Sequence, residues 1–189
     1  MTDEQVEVKS RSALRAWLAD NHATATSVWL VVYKKSSPHY LPWGDAIEEL
    51  LCWGWIDSVT RRVDDVRSSY RISPRNPNSA WSAVNKAKVK AARASGAMTP
   101  AGEALIAAAK ANGMWQFLDD VERLEAPPDL TDALADAQVQ TVWVDYPRSV
   151  KRGTLEWIKT AKTAPTRAKR IADVVKSAQD GQRPSPFRR

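Results

Sequence analysis

The sequence predicts an α+β fold, with a small antiparallel or mixed β-sheet and helices in the N-terminal part, followed by an all-helical C-terminal module. Three observations predict it. The stretch 26–35 is continuous, β-branched and aromatic, which is typical of a buried strand. Residues 55–62 and 66–73 resemble the two strands of a hairpin around Asp64-Asp65. The later part of the chain instead repeats apolar residues at helical spacing.

Capping residues and the spacing of apolar side chains place the helices. Four helices are predicted before residue 113, at 10–21, 43–52, 79–95 and 99–112. Asn78 or Ser79 caps the third of them, and Pro127-Pro128 later begins a module of three or four short helices. We therefore expect three parts: an α+β part over 1–125, a helical module over 126–180 packed on it, and a flexible tail over 181–189.

The composition excludes several kinds of site. With one cysteine and two histidines in 189 residues, an intramolecular disulfide framework and a Cys-rich zinc site are ruled out, and no metal or other cofactor is expected. The longest apolar runs are far too short to span a bilayer, and residues 1–9 are acidic and polar rather than a signal sequence. We expect a cytoplasmic protein.

The formal charge of +6 conceals four blocks of alternating sign. Residues 1–60 carry 5 basic and 8 acidic side chains, residues 61–93 carry 9 and 2, residues 102–147 carry 2 and 9, and residues 148–189 carry 12 and 3. Blocks of opposite sign can pack on one another as well as face a polyanion. Basicity alone therefore does not predict nucleic-acid binding.

A tryptophan-rich string, Trp53-Gly-Trp-Ile-Asp57, is the first candidate site. Gly54 permits a close approach between a helix and a strand, and Asp57 lies two residues after Trp55, on the same strand face. Two indoles and a carboxylate can wall a pocket that binds a cation or a donor group. In the alternative, both tryptophans are core residues and Asp57 pairs with an arginine of the neighbouring strand, such as Arg71.

The second candidate site lies around the loop after the hairpin. Asn85 lies four residues after Trp81, so both project from one helical face, and Arg75 sits in the preceding proline-bounded loop. A guanidinium, an indole and an amide near a helix N-terminus suit an anion or a carboxylate. In the alternative, Arg75 stacks on Trp81 and Asn85 bonds to a loop carbonyl, both for purely structural reasons. The predicted ligand-binding pocket combines both sites: Trp53, Trp55, Asp57, Arg71, Arg75, Trp81 and Asn85.

Catalytic residues are not predicted. Nucleophilic catalysis would need Cys52 or a serine beside His22 or His39, and neither histidine lies in a recognisable partner string. Cys52 falls on the apolar side of its helix and is interpreted as a small buried hydrophobe. The acidic trio in the same helix, Asp45, Glu48 and Glu49, is explained by the helix macrodipole. An enzyme of unknown reaction is therefore only the third hypothesis.

The C-terminal block carries the second hypothesis, a nucleic-acid-binding regulatory protein. Its basic residues are interleaved with Trp143 and Trp157, as on helices that bind a polyanion. The cations are Arg148, Lys151, Arg152, Lys159, Lys162, Arg167, Lys169, Arg170 and Lys176. The competing interpretation is a solvated face that pairs with the acidic block 102–147.

Several strings of the sequence resemble one known family. Three clusters occur in the same order in the YdeI/OmpD-associated family, also called bacteriocin-protection proteins: Cys52-Trp-Gly-Trp-Ile-Asp57, Ile72-Ser-Pro-Arg75 with Ser79-Ala-Trp-Ser-Ala-Val-Asn-Lys86, and Gly96-Ala-Met-Thr-Pro-Ala-Gly102. Leu155-Glu-Trp-Ile158 and Thr166-Arg-Ala-Lys-Arg-Ile171 resemble its C-terminal helical module, and the resemblance covers residues 10–180. Trp53 departs from the phenylalanine more common in the family, and Ala164-Pro165 from its Pro-Glu.

This resemblance implies a function in resistance to bacteriocins or cationic antimicrobial peptides, and an association with an outer-membrane porin. It implies no catalytic residue and no cofactor. We therefore predict a non-enzymatic, cytoplasmic stress or resistance protein that binds a ligand or a protein partner through the predicted pocket.

Overall fold

The computed structural model describes residues 4–188, and the chain divides into two compact units. The first runs to Phe117 and the second begins at Leu118, whereas the sequence predicts a boundary after residue 125. Within the described residues, the first unit contains a four-stranded sheet with helices and the second is helical. The α+β class is confirmed.

The first unit mixes short strands and helices. Its elements are β1 (Gln5–Glu7), α1 (Arg11–Asn21), β2 (Val28–Tyr33), α2 (Trp43–Cys52), β3 (Trp55–Arg62), β4 (Arg67–Pro74), α3 (Ala83–Ala94) and α4 (Pro100–Ala111). Ser10 caps α1 by accepting a hydrogen bond from the Ala13 N–H. Gly54, with a φ of +73°, follows the end of α2, as predicted. The strand β1 is not predicted because three residues with two polar side chains carry no strand signal.

The sheet is mixed, with the strand order β1-β2-β4-β3. β1 runs parallel to β2, and β4 is antiparallel to both β2 and β3, which confirms the predicted hairpin. The register places Val28 opposite Ile72 and Leu30 opposite Tyr70. These side chains therefore share one sheet face, and that face packs with α1 and α2 in the main hydrophobic core.

The third helix begins later than predicted. α3 starts at Ala83 with Ser82 as its cap, not at Asn78 or Ser79. The residues before Ser82 cannot begin the helix because Trp81, which is 1% exposed, is inserted into the core. Its backbone N–H donates to the Met114 carbonyl at 3.2 Å. Local capping rules cannot detect a contact with so distant a segment.

Close packing joins α4 to α2. Thr99 caps α4, and its hydroxyl also donates to the carbonyl of Cys52, the last residue of α2, at 2.5 Å. A Cβ on Gly102 would lie 2.7 Å from the Leu51 carbonyl oxygen and closer still to that of Cys52. Glycine is required here because any side chain would force the two helices apart.

The second unit consists of short helices. They are α5 (Asp119–Glu122), α6 (Pro128–Asp136), α7 (Gln140–Asp145), α8 (Arg148–Lys159) and α9 (Ala164–Gln179), followed by a 3₁₀ turn at Ser185–Phe187. Leu130, Leu134, Leu155, Ile158 and Val174 are fully buried among them. Between residues 4 and 188, no helix is long and apolar enough to cross a membrane.

The end of the chain folds back onto the second unit. The Ser185 N–H donates to the Asp173 carboxylate at 2.9 Å, and the Phe187 ring occupies the space where a Cβ of Gly153 would lie. The sequence predicts a flexible tail over 181–189. The part of it up to residue 188 makes these contacts with α8 and α9, and residue 189 lies outside the described residues.

Replacing Gly102 with alanine is expected to destabilise the first unit by about 1–3 kcal/mol, because the added methyl group collides with two backbone carbonyls. Gly44→Ala in α2 is the matched control. Its Cβ meets only the flexible end of Lys88, at 3.3 Å, so helix propensity predicts unchanged or slightly higher stability. Urea unfolding followed by tryptophan fluorescence compares the two. Equal stability of the variants would contradict the close-packing explanation.

Candidate functional site

The seven residues of the predicted pocket lie in several different surroundings within the first unit. Trp55 belongs to the main core cluster, and Trp53 packs at its edge. Trp81 belongs to a second cluster, built largely on α3 and α4. Arg75 and Trp81 are in direct contact. Asn85 lies half-buried in the first turn of α3, where its backbone N–H donates to Ser82 Oγ. Ligand binding by the seven residues together stays a prediction.

The sheet register separates Asp57 from Arg71. Asp57 lies opposite Ile72 and accepts a hydrogen bond from the Trp43 indole at 3.3 Å. Arg71 is the neighbour of Ile72 on β4, so its side chain points to the other sheet face, where it donates to Ser27 Oγ at 2.9 Å. The alternative pairing of Asp57 with Arg71 is therefore wrong.

Trp55 is a core residue. Only 1% of it is exposed, and its indole N–H donates to the His22 carbonyl at 3.2 Å. Its ring meets the Trp17 ring edge-on, with 5.6 Å between the centroids. The core interpretation of Trp55 is confirmed.

An aromatic stack that the sequence does not predict lies beside Asp57. The Trp43 ring lies parallel to the Tyr70 ring, with centroids 3.4 Å apart, and both line a cavity of about 270 Å³. Burial, and to a lesser extent the charge of Asp57, raises the pKa of Tyr70. The residues carry no joint sequence signal because α2 and β4 meet only in the folded unit.

Trp53 contacts an ion-pair network between α1 and α2 that is built on a buried carboxylate. Glu49, 1% exposed, accepts hydrogen bonds from Arg11 at 2.9 Å and from Arg15 at 2.6 Å. The Trp53 indole N–H donates to the same carboxylate at 3.3 Å, and the Arg15 guanidinium lies 5.7 Å from the Trp53 ring centre. Arg11 also binds Glu48 at 2.8 Å. Burial acts to lower the pKa of Arg11, but its hydrogen bonds to the two carboxylates outweigh burial, and the pKa is raised.

The macrodipole explanation of Glu49 is therefore incomplete. Only Asp45 of the three acidic residues lies in the first turn of α2. Glu49 lies three residues after the buried Ala46 and next to the buried Leu50, within the apolar stripe. A carboxylate at such a position, with two arginines four residues apart on another helix, was the signal available in the sequence.

Arg75 is buried directly after β4. It is 6% exposed, its guanidinium carbon lies 4.2 Å from the centre of the Trp81 ring, and its Nη2 donates to the Ala80 carbonyl at 2.5 Å. This is the stacking of Arg75 on Trp81 that the alternative interpretation of the second candidate site expects. Burial lowers the pKa of Arg75, and its Nε has no hydrogen-bond partner among residues 4–188.

The single thiol is inaccessible. Cys52 is buried, as predicted, and burial, followed by the charge of Glu49, raises the pKa of its thiol to about 11. A thiolate is therefore disfavoured near neutral pH. In the part of the chain that the structure describes, no three His, Cys, Asp or Glu side chains are grouped so that they could hold a metal ion.

A groove of about 770 Å³ lies between α6 and α9 in the second unit. Its apolar lining consists mostly of small side chains: Ala133, Ala137, Ala164, Ala168, Ile171, Ala172 and Val175. Its charged or polar lining consists of Asp129, Asp136, Arg167, Lys176 and Gln179. The sequence does not predict this groove, because alanines on separate helices form one only when the helices lie side by side.

The basic C-terminal block is largely engaged within the second unit. Three ion pairs among the described residues join it to the acidic block: Arg152–Glu122 at 2.8 Å, Lys159–Asp120 at 2.6 Å and Arg167–Asp129 at 2.6 Å. The Arg167 guanidinium lowers the pKa of Asp129. For these cations the predicted pairing with the acidic block is confirmed, and nucleic-acid binding stays a prediction.

Comparisons with known proteins divide the chain near the same place as the structure. Residues 123–181 match the family described as Bacteriocin-protection, YdeI or OmpD-Associated. Residues 6–105, more than half of the chain, match a domain of unknown function, DUF8412. No curated protein and no solved structure matches the chain.

The protein is thus an α+β unit followed by a helical module of the YdeI/OmpD-associated type. The chain belongs to the DUF8412 family, and its C-terminal residues 123–181 match the bacteriocin-protection, YdeI or OmpD-associated family. The resemblance expected from the sequence is confirmed over a shorter stretch than 10–180. The strings between residues 52 and 102 fall within the DUF8412 match, so only the C-terminal strings lie in the bacteriocin-protection match.

Glu49→Gln is expected to destabilise the first unit by about 2–4 kcal/mol, because it removes the counter-charge of Arg11 and Arg15. The expected cost lies below that of a fully buried pair, since these arginine side chains are 36% and 39% exposed. Glu103→Gln is the matched control: its carboxylate pairs with Arg93 on the surface, so a loss of about 0–1 kcal/mol is expected. Urea unfolding measures both. A similar loss in the two variants would show that burial of Glu49 has no special weight.

Proposed function

We propose that this protein protects against bacteriocins by binding a partner. We further propose that the partner is a cationic amphipathic helix, which binds in the groove between α6 and α9. One observation carries the proposal. Every residue that lines the groove, from Asp129 to Gln179, lies inside the segment that matches the bacteriocin-protection family. A concave, mostly apolar surface of this kind is the default candidate for binding.

The shape of the groove supports a helical partner. α9 has 16 residues and is therefore about 24 Å long, enough to lie beside several turns of a second helix. Ala168 and Ala172 are exposed along the groove. Because their side chains are small, the apolar face of a bound helix can approach closely, as in other helix-in-groove complexes.

Charge supports a cationic partner. Asp136 lines the groove and Asp132 lies beside it on α6, and both are exposed. Neither carboxylate forms an ion pair among the residues described, whereas the two cations of the groove lining are paired, Arg167 with Asp129 and Lys176 with Asp180. Asp132 and Asp136 are therefore available to lysines or arginines of a partner. A cationic amphipathic helix combines the apolar face and the charge that this surface accepts.

Binding rather than catalysis is proposed because the residues suited to nucleophilic chemistry are engaged elsewhere. The Cys52 thiol is buried, and its pKa is raised to about 11. The His22 ring packs against Trp53 at 4.7 Å, and its Nδ1 lies 2.9 Å from the Leu18 carbonyl. A cytoplasmic location and an association with a porin or an antimicrobial peptide, which the sequence resemblance implies, belong to the same proposal.

Binding is tested on the full-length protein by calorimetric titration with a synthetic leucine-lysine amphipathic peptide of about 18 residues. Saturable binding is expected, and Ala172→Lys should weaken it by about tenfold or more, because the new side chain fills the groove and repels the peptide. Ala135→Lys is the matched control: it adds the same charge at an exposed alanine of α6 that does not line the groove. Equal affinity in the two variants would exclude the groove as the binding surface.

Protection itself is tested in cells that lack the gene and are challenged with a cationic helical bacteriocin. Wild type and Ala135→Lys should restore growth, whereas Ala172→Lys should not. If loss of the gene leaves sensitivity unchanged, the protective function is wrong. If Ala172→Lys protects as well as wild type, protection does not use the groove.

A further inference from the structure

A buried arginine without a carboxylate partner is the most unusual charged group of the first unit. Arg75 is 6% exposed. Its Nη2 donates to the Ala80 carbonyl at 2.5 Å, and its guanidinium carbon lies 4.2 Å from the centre of the Trp81 ring. Its Nε is buried and has no hydrogen-bond partner among the described residues. Arginine is almost never this deeply buried unless it is paired.

Four half-buried arginines show what Arg75 lacks, whereas Arg170, also half-buried, lies over the Trp157 ring and donates to the Trp157 carbonyl. Arg11, Arg67, Arg152 and Arg167 each bind at least one carboxylate, and in each the bonds to that partner outweigh burial and raise the pKa. For Arg75, burial acts alone and lowers the pKa. Its charge is therefore desolvated without compensation from an acidic side chain among residues 4–188.

The side edge of the Arg75 guanidinium is buried, and the hydrogen bonds of the described residues do not saturate it. Nε and Nη2 form the edge to which a carboxylate or a phosphate binds with two parallel hydrogen bonds. Nη2 carries two N–H groups and gives one to Ala80, so a second remains, and Nε gives none. The loop from Arg75 leads directly to the Ser82 cap of α3, whose N-terminal dipole adds positive potential.

We propose that Arg75 anchors a binding site for a small oxyanion, a carboxylate or a phosphate, which accepts hydrogen bonds from Nε and Nη2. The Trp81 ring holds the guanidinium plane in place from one side, and the bound oxygen atoms provide the counter-charge. This site lies within the first unit, and it is independent of the groove between α6 and α9. The anion site and the groove can therefore be disproved independently of each other.

In this proposal the anion reaches Nε when the turn next to Arg75 in the chain is displaced. Residues 76–79 form this turn, closed by a hydrogen bond from the Ser79 N–H to the Asn76 carbonyl at 2.9 Å. The Asn112 side chain attaches it to the end of α4 by donating to the Pro77 carbonyl at 3.0 Å. Asn76, Pro77 and Asn78 are exposed, so the turn can move without exposing the core.

The test follows the arginine Nε–H resonances of the ¹⁵N-labelled, full-length protein. Sodium phosphate and sodium acetate are titrated separately, at constant ionic strength set with chloride, and the Arg75 signal is assigned by its loss in Arg75→Lys. We expect this signal to shift and saturate with a Kd of about 1 mM. The Arg71 signal serves as an internal control, because its Nε–H already donates to Ser27 and should not move.

Thermal unfolding gives a second measurement. The saturating anion should raise the Tm of wild type and of Arg71→Lys, but not that of Arg75→Lys, which keeps a charge and loses the two-bond edge. Saturation by acetate alone assigns a carboxylate such as a peptide C-terminus, and saturation by phosphate alone assigns a phosphate group. If neither anion shifts the Arg75 signal at about 50 mM, the site does not exist. The wild-type titration decides this even if Arg75→Lys fails to fold.

Discussion

The buried carboxylate of Glu49 is the constraint on which the arrangement of the first unit depends, because a charge removed from water must be neutralised where it lies. Two arginines one turn apart on α1, together with the Trp53 indole, converge on it. They fix the rotation of α1 against α2. α2 in turn provides the carbonyls against which Gly102 packs and the indole that stacks on Tyr70. One ion-pair network thus orients the helices that complete the core.

Charge is used in two different ways within this chain. In the second unit, carboxylates of the acidic block neutralise arginines and a lysine of the basic block, and these pairs connect short helices that bury little apolar surface individually. In the first unit, Arg75 is buried with an indole and a carbonyl in place of a carboxylate. The net charge therefore carries little functional information, because many of the charged side chains form ion pairs within the fold. Arg75 is more informative, because no carboxylate among the described residues neutralises its buried charge.

The two units carry candidate sites of different chemistry. The helical module, which matches the bacteriocin-protection family, presents an open groove lined with alanine, a surface suited to another helix. The α+β unit, which matches DUF8412, holds a buried guanidinium suited to a small anion. The features that make each site are also different: the groove depends on small side chains on two neighbouring helices, and the anion site depends on one side chain.

Most of the helices and strands could be predicted from the sequence, although β1 and the start of α3 could not. The strand at Val28–Tyr33, the helix at Trp43–Cys52 and the β3–β4 hairpin follow from caps, glycines and periodicities that act over a few neighbouring residues. Only the tertiary structure decided which side chains meet. The register put Asp57 and Arg71 on opposite faces, Glu49 became buried, and the α6–α9 groove formed. The physical reason is that these features arise from contacts between residues far apart in the chain, whose energies exist only once the fold has brought them together.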